Sequence, residues 1–426
     1  MAWLSAFHGA LSPCAPQESG DGPVTLETLN WLREEAGLHF NPFQALDAGS
    51  DPHISSYLVD HEAFPLLWQE RPTLLFAPPG GGKTAFRVRL AAACRSEEQG
   101  RRFFPLTLLL PAPESRDSSR TAHTGGSQTA HTDEARYFEL LSRSAAGELL
   151  FHLAYRAYRF PQIARPLQRE LKTILLENLP APLDYYLDQL EEAGSLTPLA
   201  EAFDPTARNL PIEPLPESLA EFVHTMRRRR RIRRPLASPQ ERFEQIVAVL
   251  LERLGFEAIF ILVDGADAYV SQPEEVLSLL EPLLRRTPEW AGRRIFAKYF
   301  LPLPLLPRLE ERFPHLTAEI RRVIIQWTER LLAQVLEERL RVASRGLFTS
   351  LRGMGGRDLP TDPEAYLAAR VHPLLPREVV YLAGLVLDEH LRRAGPSGWI
   401  EQTDLERAVA RYRKEKGLNG ASVHQG

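Results

Sequence analysis

The chain predicts an α/β fold with a helical block set inside it and further helices at its C-terminal end. Three observations carry that prediction. Leu74-Leu75-Phe76-Ala77-Pro78-Pro79-Gly80-Gly81-Gly82-Lys83-Thr84-Ala85 reads as a buried apolar strand, a glycine loop and the start of a helix. Phe260-Ile261-Leu262-Val263-Asp264 is an apolar strand that ends in a carboxylate. Strand-length apolar runs interleave with helical patterns up to residue 325, and only helical patterns follow.

Size and composition bound the answer. A chain of 426 residues predicts two or three packed units. With 44% apolar and 25% charged residues, the composition is that of an ordinary soluble globular protein. The formal net charge of −4 excludes a generic nucleic-acid binder and leaves room for a local basic patch. Cys14 and Cys94 offer no disulfide framework or metal cluster; they fit a reducing, cytoplasmic setting. No apolar run reaches membrane-spanning length, and the N-terminus lacks the basic flank and apolar core of a signal peptide.

Taken in order, residues 1–40 form an N-terminal segment. Its first 24 residues are expected to be poorly ordered, and Leu26 to Ala36 forms a short helix. Asn41-Pro42-Phe43 breaks that helix and begins the first part of the core, residues 41–113. On the way to the first strand, Phe43 or Tyr57 could cover a bound base or could be plain packing. Ala85 to Cys94 continues as a helix, and Phe103 to Leu110 is the second strand. Residues 114–134 are expected to be a mobile loop, in which nothing fixes His123 and His131 as metal ligands. Residues 135–236 form an inserted helical subdomain, with Phe138, Leu141, Ala145, Leu149 and Leu153 near helical spacing. It closes on the run Arg227 to Arg234.

The second part of the core spans 237–327. Ser238-Pro239-Gln240-Glu241 is a capping-box start for a helix to Leu254. Ala258 to Val263 is the strand that leads into Asp264. Glu274 to Leu284 is a helix, Arg294 to Phe300 a strand, Arg308 to Ile320 a helix, and Val323 to Ile325 a fifth strand. Residues 328–416 are a helical unit, with helices at Thr328 to Ala343, Glu364 to Arg370, Pro376 to Arg393 and Thr403 to Lys416. Residues 417–426 are expected to fray.

The chemistry centres on the glycine loop. Glycine lets the backbone wrap a phosphate, and a helix N-terminus facing the same anion adds its partial positive charge. Pro79, Gly80, Gly81, Gly82, Lys83, Thr84 and Ala85 would form this cradle. Lys83 would reach the terminal phosphates, and the Thr84 hydroxyl would ligate Mg²⁺. The pattern G-x-x-x-x-G-K-[ST] holds except that Ala77 stands at its first glycine. Asp264 would place a second metal ligand beside Thr84. Brisk ATP hydrolysis often uses a glutamate directly after that aspartate, where this chain has Gly265. Asp267 could substitute, or Glu274 or Glu275 could approach instead, and slow turnover is expected.

Other charged residues have two readings each. Lys298, on the strand after Asp264, is either a sensor of the γ-phosphate or an edge lysine reaching solvent. Arg377 opens a late helix and could fold onto the nucleotide, coupling that helix to the phosphate state. Arg321 and Arg322 could serve a neighbouring subunit as an arginine finger, which requires a homo-oligomeric ring or filament. The Arg227–Arg234 run is either a contact for nucleic-acid phosphates or another anionic partner, or a solvated loop. It lacks the interleaved aromatics of a single-strand stacking groove.

In this order of motifs the chain resembles the AAA+ and STAND branch of P-loop ATPases. Leu262-Val263-Asp264-Gly265-Ala266-Asp267 is similar to the acidic motif of NACHT-type STAND proteins, although the usual final acid is Ala268 here. Asn41-Pro42-Phe43, and Trp327-Thr328 before a helix with Arg339-Leu340, are similar to initiator-type AAA+ ATPases. The resemblance covers about residues 40–415, and its two Walker motifs are its specific part. It implies a P-loop NTPase core with a parallel five-stranded sheet in the order 5-1-4-3-2 and a helical lid. It also implies ATP or ADP with Mg²⁺ bound between core and lid. Past Lys416 neither a winged-helix domain nor a repeat array is expected. The expectation is a cytoplasmic Mg²⁺-dependent ATPase, a switch in which ATP bridges Lys83, Lys298 and Arg377. It would recruit or release a protein partner, by analogy in bacterial defence or signalling. The rivals are a nucleic-acid-associated AAA+ ATPase of transposition or replication-regulator type, a small-molecule kinase, and a scaffold with a vestigial site.

Overall fold

Five strands form one parallel sheet: β1 (Thr73–Ala77), β2 (Phe103–Leu109), β3 (Ala258–Asp264), β4 (Ile295–Pro302) and β5 (Arg321–Ile324). Their spatial order is β2-β3-β4-β1-β5, the expected 5-1-4-3-2 read from the other edge. The computed structural model describes residues 31–110, 129–204, 207, 214–227 and 237–418. Every residue of β1, β3 and β4 is buried, because both faces of a parallel sheet are covered by helices. The edge strand β5 is mostly exposed or half-buried. Ala77 is level with Pro302, and Leu109 with Asp264, so the chain leaves β1 and β3 along the same edge of the sheet.

Side chains alternate across a strand, and the two faces of β1 show it. Leu75 and Ala77 pack with Phe86, Leu90 and Cys94 of α1 (Lys83–Arg95). Leu74 and Phe76 face the other way, into a core shared with the inserted helices. These are α2 (Thr129–Tyr155), α3 (Arg165–Asn178), α4 (Leu183–Ala193), α5 (Thr197–Phe203) and α6 (Pro216–Arg227). Leu141, Ala145 and Leu149 of α2 belong to one cluster with Leu106 of β2 and Ile261 of β3. The block read as a subdomain therefore shares the core of the sheet. Helix α2 also begins at Thr129, inside the stretch read as a mobile loop.

The capping box at Ser238 forms as its residues predict and starts α7 (Pro239–Ala248). Helix α8 (Pro273–Gly292) runs past the expected end at Leu284. The single helix expected over Arg308–Ile320 is two, α9 (Leu306–Arg312) and α10 (Pro314–Ala318). Pro314 has no N–H to donate, and it pushes Phe313 to φ −130° and ψ 52°, outside helical geometry.

The C-terminal helices α11 (Glu329–Ala343), α12 (Pro363–Ala368), α13 (Pro376–Ala394) and α14 (Gln402–Glu415) have a core of their own. Trp31, Leu32, Leu38 and Phe43 join it, so the chain up to Phe43 packs with the lid although the core was read as starting at 41. Phe43 and Tyr57 are both buried packing residues. Of the arginine run only Arg227 is described, and it pairs with Asp188 and Glu191. Arg228 to Arg234, Cys14, His123 and the His131 side chain lie outside the described residues. Among the described residues no helix is long and apolar enough to cross a membrane.

Candidate functional site

The loop after β1 owes its shape to its glycines. Gly80 and Gly82 sit at φ +78° and +89°, the left-handed region that other residues avoid. Gly81 is excluded from carrying a side chain for another reason: a Cβ there would lie 2.8 Å from the Ala77 Cβ and 2.9 Å from the Pro78 carbonyl oxygen. This explains how alanine is tolerated at the first glycine of the motif. Its methyl occupies space that Gly81 leaves free. Helix α1 starts at Lys83 with no side chain capping it. The N–H groups of Lys83, Thr84 and Ala85 therefore lack both a helical partner and a cap, which suits them to an anion.

Four charged side chains meet at this edge of the sheet. The buried Lys83 Nζ donates to the carbonyls of Ala77 (3.0 Å) and Pro78 (3.1 Å) and pairs with Asp267 Oδ2 at 3.1 Å. Burial pushes the Lys83 ammonium below the usual lysine range, opposed mainly by Asp267. Burial likewise raises the Asp267 carboxyl, opposed by Lys83. Asp264 accepts the Gly265 N–H at 2.8 Å through Oδ1 and the Arg87 Nε–H at 3.1 Å through Oδ2. Behind Arg87 runs a line of buried charge. Arg87 Nη1 lies 3.7 Å from Asp204, Arg95 lies 3.0 Å from the same carboxylate, and the Arg95 fork holds Glu148 at 2.9 and 2.7 Å. This line joins the end of β3 to α1, α2 and the residue after α5.

The lid side reaches the same loop. Arg377, near the start of α13, lies against Gly80, where an added Cβ would be 2.9 Å from the Arg377 Cβ. Its backbone N–H points at the Gly80 carbonyl at 3.4 Å, and its guanidinium is 4.0 Å from Asp47. Trp327 donates its indole N–H to the Gly81 carbonyl at 3.0 Å. His61 lies edge-on to Trp327 and to Phe86 of α1, with Nε2 3.0 Å from the Gln326 carbonyl. Arg339 of α11 holds the lead-in segment through the Pro42 carbonyl (2.7 Å) and Asp51 (3.1 Å), and its guanidinium lies over the Tyr57 ring.

Pro79 through Ala85, Asp264, Asp267 and Arg377 are thus brought together, and Lys298 is not. Lys298 is level with Thr73 at the start of β1, whereas the loop follows Ala77, level with Pro302. Four strand positions separate the two, about 13 Å. Lys298 is fully buried and donates to the carbonyls of Gln69 (2.6 Å) and Arg71 (2.7 Å), so it is neither a γ-phosphate sensor nor a solvent-facing edge lysine. The loop-side end of β4 is Phe300-Leu301-Pro302, with no polar side chain. Arg321 and Arg322 also lie at the far end of the sheet, bonded to Gln69 and Glu310. Glu274 is paired with Arg308 and Arg312 on an exposed surface.

Arg87, Trp327 and His61 are site residues that sequence reading passed over as such. Arg87 had a local signal, since it falls one turn after Lys83 on the same face of α1. Trp327 and His61 reach the loop only through the folded chain.

The fold is α/β, a five-stranded parallel sheet in the order β2-β3-β4-β1-β5 with a glycine loop between β1 and α1. No protein-family model matches the chain, and no curated protein is similar to it. Among solved structures it is similar to the Orc1 protein of Aeropyrum pernix in complex with DNA, at 16% identity and a TM-score of 0.38 over 88% of this chain and 73% of that one.

Proposed function

We propose that the chain is a Mg²⁺-dependent, ATP-binding AAA+-type ATPase that acts as a conformational switch with slow hydrolysis. The observation that carries this reading is the seating of Arg377, near the start of α13, on Gly80 of the loop that leads into Lys83 and Thr84. The carbonyls and carboxylate that now satisfy Lys83 stand in for phosphate oxygens, and a triphosphate would replace them. Thr84 and Asp264 would hold Mg²⁺, which neutralises charge on the phosphates, and Asp264 would then be shared with Arg87. Moving Lys83 to phosphate would release Asp267 toward the attacking water. Gly265 supplies no carboxylate of its own. Arg377 would bind the terminal phosphate and hold the lid closed with ATP more than with ADP. The lid state would then set the affinity for a protein partner.

Hydrogen exchange across residues 376–382 tests the switch. Slower exchange with Mg·ATP than with Mg·ADP is expected, with the difference abolished in Arg377→Ala. Equal exchange in the two nucleotide states would overturn it. Gly81→Ala is expected to weaken ATP binding at least tenfold, about 1.4 kcal/mol, because its methyl collides with Ala77. The double variant Ala77→Gly/Gly81→Ala should recover part of that loss, since the Pro78 carbonyl still crowds the added methyl. Equilibrium titration of the two variants reads both outcomes.

A further inference from the structure

At the end of the sheet far from the glycine loop, a cavity of about 290 Å³ opens between α2, the turn after it, α3 and residues 253–254. Arg102, Arg156, Arg159 and Arg253 line it, and among the described residues no aspartate or glutamate does. The nearby carboxylates do not balance them. Glu97 Oε1 is shared by Arg102 and Arg156, each at 3.1 Å, and Glu170 lies 3.7 Å from Arg253. Arg159 has no ion-pair partner among the described residues and lies over the Tyr158 ring at 5.4 Å. The Arg156 Nε is buried with no hydrogen-bond partner. Phe160, Leu167 and Leu254 give the same cavity an apolar wall.

We propose that this cavity binds a small organic anion, a phosphate or carboxylate carried on a compact apolar body. The guanidinium forks match the planar or tetrahedral oxygens of such a head group, and the apolar wall accepts its body. A nucleic-acid backbone would instead need cations spread along an open surface. His152 reports the excess of positive charge: burial and then Arg156, Arg102 and Arg159 push its imidazole down to about 3, so it presents a neutral ring. The cavity is separate from the glycine loop. It touches the far end of α1, where Arg156 donates to the Arg95 carbonyl at 3.3 Å.

Titration calorimetry of the full chain with phenyl phosphate tests this site, with Lys83→Ala included to remove the glycine loop as a competitor. Saturable binding is expected to persist in Lys83→Ala. It should weaken tenfold or more in Arg159→Ala and Arg159→Glu, both at an exposed position where the fold is not at stake. Inorganic phosphate should bind more weakly than phenyl phosphate. Absence of saturable heat would overturn the assignment, as would binding that is lost in Lys83→Ala and unchanged in the Arg159 variants. Inorganic phosphate binding as tightly as phenyl phosphate would overturn the apolar half of it.

Discussion

Arg95→Ala is expected to lower the stability of the folded protein by about 3–5 kcal/mol. The Arg95 guanidinium is buried against two carboxylates, Glu148 of α2 and Asp204 after α5. Desolvating three charges together is tolerable because each hydrogen-bonds another. Removing the shared cation leaves two buried anions without the guanidinium that bridges them, with Arg87 3.7 Å from Asp204. The same change loosens the tie between the insertion and the helix that begins at Lys83. Arg89→Ala is the comparison. Its salt bridge to Glu98 is about 30% exposed on both sides, so its loss should cost about 1 kcal/mol or less. Urea unfolding of the two variants decides. Equal midpoints would show that the buried line of charge contributes no more than a surface pair.

Lys298→Met is expected to change how stability depends on pH. Burial pushes the Lys298 ammonium from 10.5 down to about 7, while in the unfolded chain it keeps its ordinary value. Between those two pH values the unfolded chain holds a proton that the folded protein has released. The stability of the wild type therefore rises with pH across the window, and below pH 7 the full penalty of burying the charge is present. The stability of the wild type minus that of Lys298→Met should climb by up to about 1.4 kcal/mol per pH unit between pH 7 and 10.5, about 4–5 kcal/mol in all. Taking the difference cancels tyrosine and cysteine ionisation common to both proteins. The Met variant also removes one of two donors to each of the Gln69 and Arg71 carbonyls, which keep the Arg71 N–H and the Thr73 hydroxyl, and this loss of about 1 kcal/mol per bond offsets the curves without tilting them. Parallel curves from pH 6 to 10 would contradict the account of Lys298.

What the sequence revealed was the part written in short-range patterns. The run Leu74 to Ala85 carries strand, turn chemistry and helix start in twelve consecutive residues. The capping box at Ser238 and the apolar strand into Asp264 are equally local. Lys298 shows where such reading stops. Ending β4 at Phe300 puts this lysine near the loop side, but the strand continues to Pro302 and its register sets Lys298 opposite Thr73. Two further residues at the strand end set Lys298 four positions, about 13 Å, back from the loop. The insertion failed differently. Helical spacing in α2 marks which face is apolar, and says nothing of what covers that face, which is the sheet itself. Arg95, Glu148 and Asp204 are scattered over more than a hundred positions and meet only in the folded chain.

The central claim is a triphosphate and a metal ion held by Lys83, Thr84 and Asp264. Equilibrium titration with ATP, with and without Mg²⁺, on the wild type and Lys83→Ala tests it most directly. Saturable, Mg²⁺-strengthened binding is predicted for the wild type, weakened a hundredfold or more in the variant, about 2.7 kcal/mol. The same weak or absent signal in both proteins, or equal affinity in both, would contradict it.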